Sequence, residues 1–316
     1  MLRVLTYHRV AEPEAAPHLH PRLISATPAG FEEQVRFLAA NYTVISMQEA
    51  LDVWEAGRRL PRRSVLLTFD DGYRDFAEVA WPILKRYQLP ATLFVATAYP
   101  SEPQKGFWWD RVHQAFSNTT RAELYDTPLG TLSLTSSQAR RASLRRTEDY
   151  VKTLRHSAAM AFVDQVCNEL GGNQSQETNV LDWDQLRALA HQGVALGAHT
   201  RTHPLLTQLP PAEAAEEICG SQEDLGREIG RVLPIFCYPD GAHSDSVVEV
   251  LREAGFKLAF TTEDGQNKPN STDPLRLRRT NITPRTTLPI FRLRLQRWVS
   301  YLDSWRHRKQ PRAASA

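Results

Sequence analysis

Residues 66–76 read LLTFDDGYRDF. An apolar run stops abruptly at two adjacent aspartates, Asp70 and Asp71, followed by a glycine and an aromatic. Neighbouring carboxylates repel each other, so the pair needs a reason to stand where a strand ends. A DDG sequence commonly marks a turn, which is one reading. The other is that a cation offsets the repulsion: one carboxylate binds it while its neighbour stays free as a base.

Working outward, short apolar runs alternate with amphipathic stretches. LRVLTYH, SVLLTFD, ATLFVAT, VALGAHT, LPIFCYP and KLAFTTE read as strands. GFEEQVRFLAANY, FAEVAWPILKRYQ, LDWDQLRALAHQG and SDSVVEVLREAG read as helices, with Pro82 a candidate kink. PAEAAEEICGSQEDLGREIG reads as helical with interruptions. This alternation implies βα units and parallel pairing, hence a barrel or an open doubly wound sheet. The rhythm breaks at about 100–178, which carries GFWWD, a Ser/Thr-rich stretch and one helix expected near Arg140 to Leu170. That stretch is expected to lie over one end of the barrel as an insertion.

The 316-residue chain has 41% hydrophobic and 23% charged residues, ordinary globular usage that supports a core and argues against wholesale disorder. A net charge of +2 gives no reason to expect a nucleic-acid partner. Cys167, Cys219 and Cys237 are odd in number and far apart, which suggests neither disulfides nor a cysteine zinc site. The opening MLRVLTYHRVAEPE lacks the apolar length of a secretory signal. Read from Met1 as its start, the chain is expected in the cytoplasm. Trp298, Tyr301, Leu302 and Trp305 follow helical spacing among arginines. They are expected to form either a helix packed on the barrel or a peripheral contact with the inner face of a membrane.

Ligands of α/β folds gather beyond the carboxyl ends of the strands. The reactive side chains there are His8, Asp70 and Asp71, His199 and His203, and those of the CYPDG turn. His199 and His203, four apart in HTRTH, can bring two imidazoles to one metal or can be ordinary turn residues. Asp71, His199 and His203 would complete three protein ligands with a position left open, suited to zinc or a similar divalent ion, with Asp70 left to take a proton.

TFDDG at Thr68–Gly72 and HTRTH at His199–His203, with FCYPDG following, resemble the motifs of the polysaccharide deacetylases, the carbohydrate esterases with a NodB-type homology domain. The likeness in order and spacing spans about 1–285. It implies a distorted (β/α) barrel of about seven strands and metal-dependent removal of acetyl groups from N-acetylated sugars. Carried over by position, Asp70 is the base and Asp71, His199 and His203 hold the metal: zinc, with cobalt or nickel as alternatives.

Two departures stand out. The usual R-x-P-Y motif is replaced by Cys237–Asp240, so its arginine is missing; Arg279 in LRLRRTNITP resembles the arginine segment of the exopolysaccharide deacetylase branch. No late L-x-x-H occurs, and LTYHRV offers His8 as the general acid in the permuted order of that same branch. A backbone N–H within Tyr238, Pro239 and Asp240 could hold an oxyanion. Trp108 and Trp109 could stack on a sugar or simply pack, and Asp110 could orient a catalytic group.

The domain reading is a barrel over 1–290, including the insertion, and a basic–aromatic helix and tail over 291–316. The expected substrate is an acetylated glycan or lipid-linked sugar. The rivals are an O-acetyl esterase, a hydrolase of another C–N bond such as an imide, and a catalytically silent carbohydrate-binding protein. The sequence leaves the oligomeric state open.

Overall fold

A computed structural model describes residues 1–171 and 179–296. Among the described residues twelve strands form: β1 (Arg3–Tyr7), β2 (Arg9–Val10), β3 (Ile24–Ala26), β4 (Thr43–Val44), β5 (Ser64–Phe69), β6 (Thr92–Val95), β7 (Glu123–Leu124), β8 (Leu132–Ser133), β9 (Ala195–Ala198), β10 (Ile235–Cys237), β11 (Leu258–Phe260) and β12 (Thr280–Asn281). Seven of them lie in the order β11-β10-β9-β6-β5-β1-β12, every neighbouring pair parallel, and β4 pairs with the start of β5.

Segment 277–281 brings the two edges of this sheet together. Leu277 bridges to Phe260 on β11, and its amide donates to the Ala259 carbonyl at 2.8 Å. Three residues on, Thr280 and Asn281 pair with Leu5 and Thr6 of β1. The sheet therefore curls into the distorted barrel that the sequence implied. Because its strands are parallel, their carboxyl ends, where the reactive residues stand, share one face.

The helices follow the sequence with instructive differences. Met47–Glu55 starts at a capping box of Ser46 and Glu49, and Trp183–His191 at one of Asp182 and Gln185, so orphan amides are satisfied at both starts. Phe76–Ala80 is a wide π turn leading into Trp81–Arg86. Pro82 lacks an amide and its ring crowds the preceding turn, and the wider turn before it accommodates both. Pro211–Ile229 runs unbroken where interruptions were expected. Gly220 is there for close approach: a Cβ would lie 2.3 Å from the Arg201 guanidinium carbon.

The single helix expected over Arg140–Leu170 is two, Ser137–Val151 and His156–Glu169. The chain turns between them, where Thr153 Oγ1 donates to the Tyr150 carbonyl at 2.7 Å. Both helices pack with Trp108–Asn118 around Phe116, Val151, Phe162 and Val163, a core distinct from that of the barrel. The expected boundary at 290/291 falls inside the helix Leu288–Arg294, whose Phe291 is buried in the barrel core. Burying such a side chain is worth about 1.5–3 kcal/mol, reason enough for this segment to stay docked. Trp298, Tyr301, Leu302 and Trp305 lie outside the described residues. Among those described, no helix is long and apolar enough to cross a membrane.

Candidate active site

Asp70 and Asp71 follow β5 directly, and their surroundings differ sharply. The Arg279 guanidinium donates to both oxygens of Asp70, Nη1 to Oδ1 at 2.8 Å and Nη2 to Oδ2 at 2.7 Å. The two residues are 1% and 3% exposed, so water screens the pair little. Arg279 stands on the closing segment, with Nε donating to the Thr261 carbonyl at 2.8 Å. Burial alone would raise the Asp70 carboxyl. The Arg279 charge and hydrogen bonds outweigh it, helped by His199 and His8, and hold the group below the usual carboxylate range. Each carboxylate oxygen has two acceptor positions, so this bidentate grip leaves Asp70 able to accept a proton.

Asp71, with a φ of 74°, turns the other way. Its Oδ1 is buried with no hydrogen-bond partner. His199 Nε2 and His203 Nε2 each approach that atom to 3.4 Å without hydrogen-bond geometry. A buried carboxylate oxygen costs free energy unless something satisfies it. The Cys237 carbonyl accepts a 2.7 Å hydrogen bond from His199 Nδ1, which leaves Nε2 for the Asp71 side. Burial and the neighbouring His199 push His203 down to about 4. At His199, burial is outweighed by Cys237 and Asp71, which hold it well above the usual imidazole range. A cation bound there requires both ligating nitrogens free of protons. The donor atoms of Asp71, His199 and His203 lie within 4.8 Å of one another. An orphaned carboxylate oxygen and two oriented imidazoles fit a divalent cation. Asp70, His199 and Cys237 also cluster within 4.8 Å. That set fits less well, because Arg279 occupies Asp70 and the Cys237 carbonyl holds His199 Nδ1.

The histidine loop after β9 is held in a costly shape. Thr200 and His203 have φ of 63° and 61°. Glu217 accepts from the amides of Arg201 and Thr202 at 2.8 and 2.9 Å and from Thr202 Oγ1 at 2.6 Å. Asp224 ties Arg201 and Thr97 together from below, at 2.9 and 2.8 Å. Nothing in the helix sequence marked Glu217 or Asp224 for this role.

His8, half-buried, lines the same cavity of about 340 Å³ as Asp70, Asp71, His199, His203 and Arg279. The CYPDG turn is corrected in detail. Tyr238 is spent on both sides, its amide donating to the Phe260 carbonyl at 3.0 Å and its hydroxyl to the Leu275 carbonyl at 2.8 Å. Pro239 has no N–H. Within the stretch, Asp240 alone keeps an amide that donates to no described group, in a turn with φ of 54°.

Trp108 and Trp109 both line the cavity, but Trp109 is a packing residue. It stacks on Phe107 at 4.6 Å, donates to Tyr73 Oη at 2.9 Å and abuts the His203 ring at 4.8 Å. Asp110 does not reach the cluster. Its Oδ2 accepts from Arg9 Nη2 at 2.6 Å, while Arg9 also faces Asp75 at 3.4 Å and covers the Tyr73 ring at 3.5 Å. This buried network fastens the insertion to the barrel, and the sequence reading did not find Arg9 or Asp75.

The family profile for polysaccharide deacetylase matches residues 57–259. YxkH of Bacillus subtilis is 20% identical over 265 residues, 84% of this chain and 65% of that protein. The poly-β-1,6-N-acetyl-D-glucosamine N-deacetylase of Staphylococcus aureus is 22% identical over 252 residues, 79% of this chain and 65% of that one. This chain thus spans less than two thirds of either relative. The Streptococcus pyogenes deacetylase PplD, solved with acetate, shares the fold with a TM-score of 0.62 at 20% identity, over 93% of this chain and 98% of that one. Asp70, Asp71, His199 and His203 all lie inside the profile match, whereas His8 and Arg279 lie outside it. The match covers more than half of the sequence, and the chain belongs to the polysaccharide deacetylase family.

Proposed function

We propose that this protein hydrolyses the acetamido groups of an N-acetylated glycan, with a divalent cation held by Asp71, His199 and His203. One observation carries the reading: adjacent buried carboxylates in opposite surroundings, Asp70 gripped by Arg279 and Asp71 with an orphaned oxygen between two imidazoles. Two imidazoles and a carboxylate suit zinc, with cobalt and nickel as alternatives. Such an ion, when bound, polarises a carbonyl and makes water a nucleophile near neutral pH.

Asp70 takes the proton from the attacking water, and Arg279 keeps its carboxylate ionised and aimed. The Asp240 amide donates to the oxyanion, a role that needs no side chain. His8 gives a proton to the departing nitrogen, which then leaves as a neutral amine and not as its strongly basic anion. Trp108 offers a flat apolar wall to a pyranose face. The name of the S. aureus relative makes poly-β-1,6-N-acetylglucosamine the first substrate to test.

The test is acetate release from that polymer and from chitin oligomers, by protein reconstituted with zinc, cobalt or nickel and by chelated protein. Release by the loaded protein alone supports the reading. Glycan binding without acetate would make it a carbohydrate-binding protein, and release from O-acetyl esters alone would make it an esterase.

A further inference from the structure

The insertion is fastened to the rim of the cavity on two sides. On one side, His20, in the loop after β2, meets Glu148 Oε1 at 2.6 Å. Nearby, the Pro17 and His18 carbonyls lie 3.3 Å from His113 Nε2 and Gln114 Nε2. On the other side, His156 Nε2 lies 3.2 Å from Thr202 Oγ1. Gln208 Nε2 donates to the Lys152 carbonyl at 2.8 Å, and Lys152 Nζ to Asp240 Oδ2 at 2.9 Å. His20, Glu148, Lys152, His156, Gln208 and Asp240 all line the cavity. The strap formed by the helices Ser137–Val151 and His156–Glu169 thus runs from the loop after β2 to those after β9 and β10.

A glycan passing straight through would have to break one of these lines. The space beneath is also small. Pockets that enclose one drug-sized ligand hold about 300–1,000 Å³, so 340 Å³ accommodates about one or two pyranose rings. Val151, Leu154, Ala159 and Met160 of the strap add an apolar part to its lining, which also includes the polar aspartates and histidines. A ring bound beneath the strap has little room for neighbours on both sides.

We infer that the strap makes this protein selective for a terminal residue of an N-acetylated glycan, or for a mono- or disaccharide, over residues inside a chain. The inference rests on the deacetylase reading above and adds where on the chain the enzyme acts. Lys152, Gln208 and His20 determine that specificity by holding the strap down, and none of them takes part in the hydrolysis.

The experiment uses the full-length, metal-loaded protein and N-acetylglucosamine oligomers of two to six residues, β-1,6- and β-1,4-linked, with ¹⁸O at the reducing end. Mass spectrometric sequencing locates the first free amine. The wild-type protein should place it on one terminal residue in preference to internal ones by about tenfold or more, the scale of discrimination that a shaped pocket provides. Lys152→Ala combined with Gln208→Ala should lower that preference severalfold while disaccharide turnover persists. His20→Gln, which weakens the Glu148 contact while keeping a polar side chain there, should do so to a smaller degree. First amines scattered over internal residues of the hexamer, or a pattern unaltered in both variants, would overturn the inference and leave the deacetylase reading standing. Failure to release acetate from any oligomer would overturn both.

Discussion

Replacing Arg279 by methionine isolates what its pairing with Asp70 contributes. The substitution keeps a long side chain and removes the charge and five donors. Asp70 is 3% exposed, so its carboxylate would be left buried with only the Cys237 thiol, 3.5 Å away, as a recorded side-chain donor. Breaking a buried pair in this way costs about 3–5 kcal/mol. At roughly 2 °C per kcal/mol for a chain this long, the melting midpoint should fall by about 6–10 °C. The assay is thermal melting of chelated protein, so that cation binding does not contribute. The companion is the double variant Asp70→Asn with Arg279→Met, which removes the stranded charge. It should melt above the Arg279→Met single variant, because residues in one ion pair are not additive. A midpoint within about 1 °C of wild type for Arg279→Met, or a double variant at the sum of the two singles, would refute the reasoning.

Three further perturbations follow from the same geometry. Burial pushes the Asp75 carboxyl up to about 6 against the pull of Arg9 and the Val10 amide, and Asp110 adds to the rise. The folded state therefore holds this proton more tightly than the unfolded one, whose value is near 3.8, and the site's contribution to stability is lost as pH rises from about 4 through 6. Asp75→Asn should flatten the stability–pH curve in that window, and denaturant titrations at several pH values would show an unchanged slope if the account is wrong. A Cβ on Gly241, at φ 72°, would lie 2.1 Å from Thr262 Oγ1 and 2.5 Å from the Thr262 amide, so Gly241→Ala must shift the turn that carries the Asp240 amide. It should keep its bound metal and lose about 10²–10³ in turnover, as removal of an oxyanion donor does; metal analysis beside acetate release checks both halves. His8→Ala should lower amide turnover by about 10²–10⁴ and spare an aryl acetate, whose leaving group needs little protonation; equal losses on both substrates would make His8 structural.

Residues at strand ends were legible because position and chemistry coincide there. A strand that stops at DDG and a loop that opens with HTRTH put their polar groups where a parallel barrel presents ligands. Arg279 was legible for a weaker reason, a likeness in LRLRRTN; its 1% exposure departs from the usual surface fate of an arginine run and depends on the way segment 277–281 joins β11 to β1. Tyr238 was one of three candidates for the oxyanion N–H, and sequence does not show that its amide is spent on the Phe260 carbonyl. Its hydroxyl turns toward Leu275, away from the chemistry. Glu217, Asp224 and the Arg9 network were invisible for a related reason: they hold the site through contacts made only when distant segments meet, and no local spacing announces such contacts. The break at 152–155 was hidden likewise, since the helical pattern continues on both sides while the turn depends on packing against Trp108–Asn118.

The central claim is that two neighbouring aspartates divide the work, Asp71 holding the cation and Asp70 serving as the base. Metal-to-protein ratio measured beside acetate release, in Asp70→Asn and Asp71→Asn after identical reconstitution with zinc, tests it most directly. The account predicts that Asp70→Asn retains the wild-type ratio and loses about 10²–10⁴ in turnover, whereas Asp71→Asn loses both metal and turnover. Full metal retention in Asp71→Asn, or near-normal turnover in metal-loaded Asp70→Asn, would contradict it.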